Sequence, residues 1–165
     1  RSASLRGLSS QISNLHLVLA GAKGWLYHEL FALVQELNLT DKVIFPGFVP
    51  ADELVLWYNA SAVFAYPSSY EGFGIPVVEA LACGNLPIVT DVGETRRIAA
   101  EAFSYYVPRD FDVDALFSHC LTILTMGDDE RVAKVASART MLSERFSIDS
   151  MASYYTELYA ALAAA

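Results

Sequence analysis

Ala62-Val63-Phe64-Ala65-Tyr66, then Pro67-Ser68-Ser69-Tyr70-Glu71-Gly72-Phe73-Gly74, then Ile75-Pro76-Val77-Val78-Glu79-Ala80-Leu81-Ala82-Cys83 is the stretch from which the rest of the chain can be read. The first part is a short apolar run of strand-forming residues. The last reads as a helix with almost no polar group except Glu79. Between them lies a loop carrying two glycines and a carboxylate. Strand, glycine loop and helix start together make an anion site, because the first N–H groups of a helix have no partner within it and the dipole there is positive. Pro76 suits the first turn, where its missing N–H goes unused. Gly72 and Gly74 allow a positive φ or a close backbone approach to a ligand. Glu71 on the loop and Glu79 one turn into the helix then stand where both can face one ligand.

Outward from this centre, strands and helices alternate. Leu15–Ala20 reads as a buried-type strand ending at Gly21, and Gly21-Ala22-Lys23-Gly24 as a turn. Leu26, Leu30, Leu33, Val34 and Leu37 recur at helical spacing, predicting a helix over Trp25–Asn38. Val43-Ile44-Phe45 is a strand closed by Pro46-Gly47, Phe48-Val49-Pro50 a loop, and a helix follows through Tyr58. Gly84 and Asn85 end the central helix. Leu86–Thr90 is a strand, Asp91-Val92-Gly93 a loop, Glu94–Ala102 a helix and Tyr105–Val107 a strand. Asp112–Thr125, Asp128–Arg145 and Ile148–Leu162 read as three further helices. Such alternation predicts an α/β fold: βαβ units with right-handed crossovers and a Rossmann-like parallel sheet with helices on both faces. Ligands on such sheets bind beyond the carboxyl ends of the strands, so the loops at 21–24, 47–50, 67–74 and 91–94 are expected on one rim.

The 165 residues are 54 % hydrophobic and 18 % charged, which excludes a disordered chain. Mean hydropathy is +0.33. Either a sheet covered on both faces or a surface that docks on something accounts for it. No run reaches the roughly 18 apolar residues of a membrane span, and Arg1–Ser10 lacks the apolar core of a signal peptide. A net charge of −8 argues against nucleic acid, which calls for a basic face. Cys83 and Cys120 are too far apart for metal-ligand spacing and read as buried thiols of a reducing compartment. His16, His28 and His119 form no ligand pattern.

Taken together, these loops resemble the C-terminal, nucleotide-sugar-binding domain of retaining GT-B glycosyltransferases of family 4 type. The resemblance runs from about Leu15 to Leu162. It is strongest at Glu71 and Glu79, which fit that family's paired-glutamate motif with seven residues between. Pro67-Ser68, Glu71-Gly72-Phe73-Gly74, Glu79-Ala80-Leu81-Ala82-Cys83-Gly84 and Pro87-Ile88-Val89 fit around it. Val43–Pro50 looks like the base-binding loop, Leu17–Trp25 like the second strand and turn, and Phe146-Ser147-Ile148 like the join before the last helix. The resemblance implies residue roles. Glu79 accepts from both ribose hydroxyls; Glu71 faces the transferred sugar and its developing positive charge; the N–H groups of Phe73, Gly74 and Ile75, reached past Gly72, hold the distal phosphate; Phe48 and Val49 meet the base; and Lys23 reaches a phosphate or stays solvated. It implies no catalytic metal and no cofactor beyond the nucleoside-diphosphate sugar itself, with a hexose as cargo; Gly24-Trp25 favours GDP-mannose. Residues 1–14 read as the remnant of an upstream helix, 15–146 as the donor-binding domain and 147–165 as the C-terminal crossing helix.

The residues leave alternatives beside these roles. Glu71 could cap the helix, Phe73 could be core, and the apolar face of Met151, Tyr154, Tyr155, Leu158, Tyr159 and Leu162 could be packed or docked. Three features depart from the family: no Arg and Lys of a first diphosphate-gripping loop, no N-terminal acceptor-binding domain with its histidine, and Arg97 where Glu is usual. The resemblance therefore implies a fragment of a longer enzyme, inactive alone, with a gap in its sheet where a first strand is missing. The implied enzyme is cytoplasmic, with any peripheral membrane contact made through the absent half. A non-catalytic nucleotide-sugar-binding module is the competing reading. A nicotinamide-binding domain fits poorly, since no G-x-G-x-x-G follows the first strand.

Overall fold

The computed structural model describes residues 14–24, 27–98, 105–107 and 112–164. The upstream helix read over 1–14 falls outside them, save for its last residue. Among the described residues there are five strands: β1 (Leu17–Ala20), β2 (Val43–Gly47), β3 (Phe64–Tyr66), β4 (Pro87–Thr90) and β5 (Tyr105–Val107). The helices are α1 (Tyr27–Glu36), α2 (Ala51–Ala60), α3 (Ile75–Cys83), α4 (Val113–Leu124), α5 (Asp128–Phe146) and α6 (Ile148–Ala163). Of the helix expected over Glu94–Ala102, residues 94–98 are described; Glu94 lies in a turn and 95–98 are helical. Every strand pair is parallel, as the alternation predicts. The ladders fall into two sheets, β1-β2 and β3-β4-β5, with none joining them among the described residues. The chain divides into two compact units, residues 1–54 and 55–165.

In the first unit, Leu17 pairs with Val43 and Val18 with Ile44. Phe31 of α1 stacks on Phe45 of β2 at 4.3 Å. Helix α1 stops because Asn38 takes a left-handed φ of 55°. The Leu39 N–H then reaches back to the Val34 carbonyl (2.9 Å) and the Asn38 N–H to that of Gln35 (3.0 Å), a Schellman closure that asparagine tolerates. The expectation of a buried first strand is corrected: Leu17 is 54 % exposed and Val18, on the other face, is 36 % exposed. A strand buried on both faces needs a covering layer on each, and among the described residues of this unit one complete helix, α1, accompanies the two-stranded sheet. Val34 is its sole buried residue among those described.

The second unit has a true core. Strand β4, the middle of its sheet, is buried at all four positions. Successive side chains of a strand point to opposite faces, and β4 divides its core accordingly. Val89 packs with Val77, Leu81, Ile98, Ala138 and Leu142 on the side of α3 and α5. Ile88 packs with Leu86 and Ile123 on the side of α4. Here the expected sheet with helices on both faces is realised. Pro87 opens β4, where a missing N–H interrupts the ladder least.

Helix α3 is bounded by two left-handed glycines, Gly74 (φ 89°) and Gly84 (φ 94°). The Asn85 N–H returns to the Ala80 carbonyl at 2.9 Å, and Arg139 of α5 donates to the Ala82 carbonyl at 3.1 Å. Helix α6 starts at Ser147, whose hydroxyl accepts from the Ser150 N–H at 3.1 Å. From residue 151 to 164 every position of this segment is exposed, so its apolar face is not packed into the core. No described helix is long and apolar enough to cross a membrane.

Candidate functional site

At the carboxyl end of β3 the chain turns through residues 67–74 into α3. Gly74 is buried and caps the helix with its backbone alone. The Val77 N–H bonds to the Gly74 carbonyl at 2.9 Å, and Pro76 has no N–H. The N–H groups of Phe73, Gly74 and Ile75 meet no acceptor among the described residues. They form the donor cluster expected of a helix start. Gly74 holds the positive φ expected of it, whereas Gly72 does not. Gly72 has nothing within 4 Å of where a side chain would begin, so what it provides is open space.

A glycine that the sequence reading passed over fixes the loop. A methyl group on Gly93 would collide with the Glu71 carbonyl, its carbon lying 2.8 Å away, and sit 3.1 Å from the Gly72 oxygen. The loop after β4 thus presses bare backbone against the Glu71–Gly72 peptide. Buried Thr95 keeps it there, its hydroxyl within reach of the Thr90 (2.8 Å) and Val92 (2.7 Å) carbonyls. The Thr90 hydroxyl in turn bonds the Ser68 carbonyl.

Each carboxylate is held by a tyrosine. The Tyr66 hydroxyl donates to Glu71 Oε2 at 2.5 Å, and the Tyr58 hydroxyl to Glu79 Oε2 at 3.0 Å. Glu71 therefore does not cap α3, and the capping alternative falls away. The Tyr58 ring meets Phe64 edge-on at 5.4 Å, and Phe64 stacks with Tyr66 at 6.1 Å. Phe64 and Tyr66 lie two apart on β3 and share a face. One aromatic run thus holds both glutamates, so they lie on one side of the sheet. Burial, then the hydrogen bond to Glu71, pushes the Tyr66 hydroxyl up to about 12. Burial and Glu79 raise Tyr58 further still. Asn85, itself buried, donates to the Tyr58 carbonyl at 2.8 Å. Neither tyrosine nor Asn85 stood out in the sequence. Tyr58 lies 21 residues from Glu79, and no local pattern links them.

Of the sequence-predicted residues, the structure gathers Glu71, Gly72, Phe73, Gly74, Ile75 and Glu79 on this loop and helix. Phe48, Val49 and Lys23 belong to the other unit. There Phe48 is 77 % exposed and Val49 half-buried. The Lys23 ammonium lies over the rings of Tyr27 (5.3 Å) and Phe31 (5.8 Å), a cation–π seat. Beside the glycine loop, Phe73 meets Phe146 edge-on at 6.0 Å. With Glu94, Arg97, Ile98 and Arg145 these rings line a cavity of about 270 Å³. Arg97 reaches Glu94 at 3.4 Å. Cys83 and Cys120 are half-buried rather than buried, and burial raises both thiols. No three His, Cys, Asp or Glu side chains cluster as a metal site among the described residues.

Residues 3–140 match the family model described as glycosyl transferases group 1. The chain is 34 % identical over 123 residues to the O-antigen chain mannosyltransferase B of Escherichia coli, covering 74 % of this chain and 31 % of that protein. It is 32 % identical over 146 residues to the D-inositol 3-phosphate glycosyltransferase of Xylanimonas cellulosilytica, covering 87 % and 34 %. It thus spans about a third of the length of these relatives. Among solved structures, the Anabaena protein Alr3699/HepE, crystallised in complex with UDP, superposes with a TM-score of 0.77 at 23 % identity, over 89 % of this chain and 41 % of that one. At that identity the likeness speaks for the fold, a Rossmann-like α/β domain of the GT-B kind. A family model matched over residues 3–140, with relatives above 30 % identity along most of the chain, makes this chain a member of the glycosyl transferases group 1 family.

Proposed function

We propose that the chain is the C-terminal, donor-binding domain of a retaining glycosyltransferase of family 4 type, which takes a hexose from a nucleoside-diphosphate sugar. One observation carries this reading: two carboxylates tied to a single aromatic run flank the unpartnered amides of Phe73, Gly74 and Ile75. Those amides and the positive end of α3 suit the distal phosphate and the charge that grows on it as the glycosidic bond breaks. Glu71 opposes the positive charge developing on the sugar. Glu79 accepts from the ribose hydroxyls, since a carboxylate has room for two donors beside its tyrosine. Phe48 and Val49 serve the base and Lys23 a phosphate. No catalytic metal enters this scheme.

The names of the relatives favour mannose as the sugar, while a structural neighbour was solved with UDP and UDP-glucose; the base is what the experiment reads. Calorimetry with UDP, GDP, ADP and NAD is expected to give binding of one nucleoside diphosphate, lost in Glu79→Ala. NAD binding without nucleoside-diphosphate binding overturns the reading. The acceptor is the business of a second, N-terminal domain of a cytoplasmic enzyme that touches the membrane, if at all, through that domain. The 165-residue chain alone binds donor without transferring sugar, and turnover by the purified chain refutes that part.

A further inference from the structure

A carboxylate on a loop or on an exposed helix face samples several rotamers, and a ligand that needs it in one of them loses affinity to that ordering. Glu71 and Glu79 are both spared this. Each has one oxygen, Oε2, tied to a tyrosine hydroxyl, which leaves the other oxygen and the remaining lone pairs of the first for a ligand. The tyrosines are fixed in their turn. Tyr58 is 8 % exposed, packs against Phe64, and has its backbone carbonyl held by Asn85. Tyr66 stacks on Phe64 from the same strand. Replacing either by phenylalanine keeps the ring packing and deletes only the hydroxyl.

We propose that Tyr58 and Tyr66 are positioning residues of the donor site, Tyr58 presenting Glu79 to the ribose and Tyr66 presenting Glu71 to the transferred sugar. This rests on the donor-site reading above. It has a signature that a purely structural role lacks, because the two tyrosines serve different parts of one ligand. Calorimetry on the full chain compares UDP, GDP and ADP, the 2′,3′-dideoxy analogue of whichever binds, and the matching nucleotide sugar. Tyr58→Phe weakens the ribonucleoside diphosphate about fivefold to tenfold, the worth of one hydrogen bond, and leaves the dideoxy analogue within about twofold of the parent chain. Tyr66→Phe leaves the nucleoside diphosphate unchanged and weakens the nucleotide sugar by a similar factor. In a Glu79→Gln background, Tyr58→Phe has a different effect from that in the parent chain, as coupled neighbours require. Equal losses on all three ligands, or no loss on any, overturn the proposal while leaving the donor site standing. A parent chain that binds none of UDP, GDP and ADP brings down the donor-site reading and this proposal with it.

Discussion

At Gly93 one hydrogen atom in place of a methyl group decides whether two loops can touch. With φ at 54° and the Glu71 carbonyl against it, Gly93→Ala suffers both a left-handed backbone and an overlap. It is expected to lower stability by at least about 1 kcal/mol and to displace Glu71, which denaturant titration and nucleotide-sugar calorimetry detect together. Gly72→Ala meets open space and a permissive φ, so it is expected to leave stability unchanged and to act on ligand affinity alone. The tyrosines make a second prediction at this scale. Tyr66 keeps its proton in the folded chain up to about 12, against 10.0 as the ordinary value. The stability linked to it is fully present below pH 10 and is lost as pH rises through 12, because the unfolded chain releases that proton first. Tyr66→Phe is expected to flatten the alkaline limb of the stability–pH curve, read by chemical denaturation between those values.

Among the elements, α2, β3, α3 and β4 are joined by polar groups that are at least partly buried. Asn85 is 4 % exposed. Its Nδ2 donates to the Tyr58 carbonyl and its Oδ1 lies 2.9 Å from the Ser61 hydroxyl, so the residue that ends α3 also ties down the end of α2. Asn85→Leu deletes both of these bonds, at a cost of about 1–3 kcal/mol, and leaves the Tyr58 carbonyl held by Ser61 alone. Because Tyr58 then loses one of its anchors, nucleotide affinity is expected to fall as well. An apolar substitution elsewhere in the core separates the two effects: Leu81→Ala removes about 2–5 kcal/mol from a fully buried side chain that touches neither carboxylate by hydrogen bond. Denaturation midpoints and calorimetry of the two variants are expected to show parallel stability losses and unequal affinity losses.

Across the whole molecule, burial is concentrated in residues 55–165. Val77, Ala80, Leu81, Val89 and Ile123 have no exposed surface, while Leu17, Leu33, Leu37 and Ile44 of the first unit are 42–55 % exposed. Segments with few buried contacts open at low free energy. Amide exchange is therefore expected to be slow over 77–98 and 117–142 and fast over 17–47; strong protection of β1 would contradict this. Helix α6 stands at the same extreme, with every residue from 151 to 164 exposed. A chain ending at Ser147 is expected to unfold at nearly the same denaturant concentration as the full chain. The high mean hydropathy of +0.33 reflects the sheet buried on two faces in one unit, together with apolar surface left open elsewhere.

Periodicity and punctuation are local, and what depends on them was legible in the sequence. The extent of each strand and helix, the limits of α3 at Gly74 and Gly84, and the amide cluster ahead of Glu79 follow from neighbouring residues, and the parallel ladders from the alternation of those elements. Asn38 closing α1 belongs to the same class, although the reading carried that helix through it. The tertiary structure alone decided which apolar segments were covered, because covering depends on layers contributed by distant residues. For that reason the run 15–20, which reads as a buried strand, lies exposed. It also decided what holds the glutamates. Hydrogen bonds such as Tyr58 to Glu79, and close approaches such as Gly93 to Glu71, join residues about twenty apart in the chain, and only the packing of α2 and the β4 loop against the glycine turn brings them within reach.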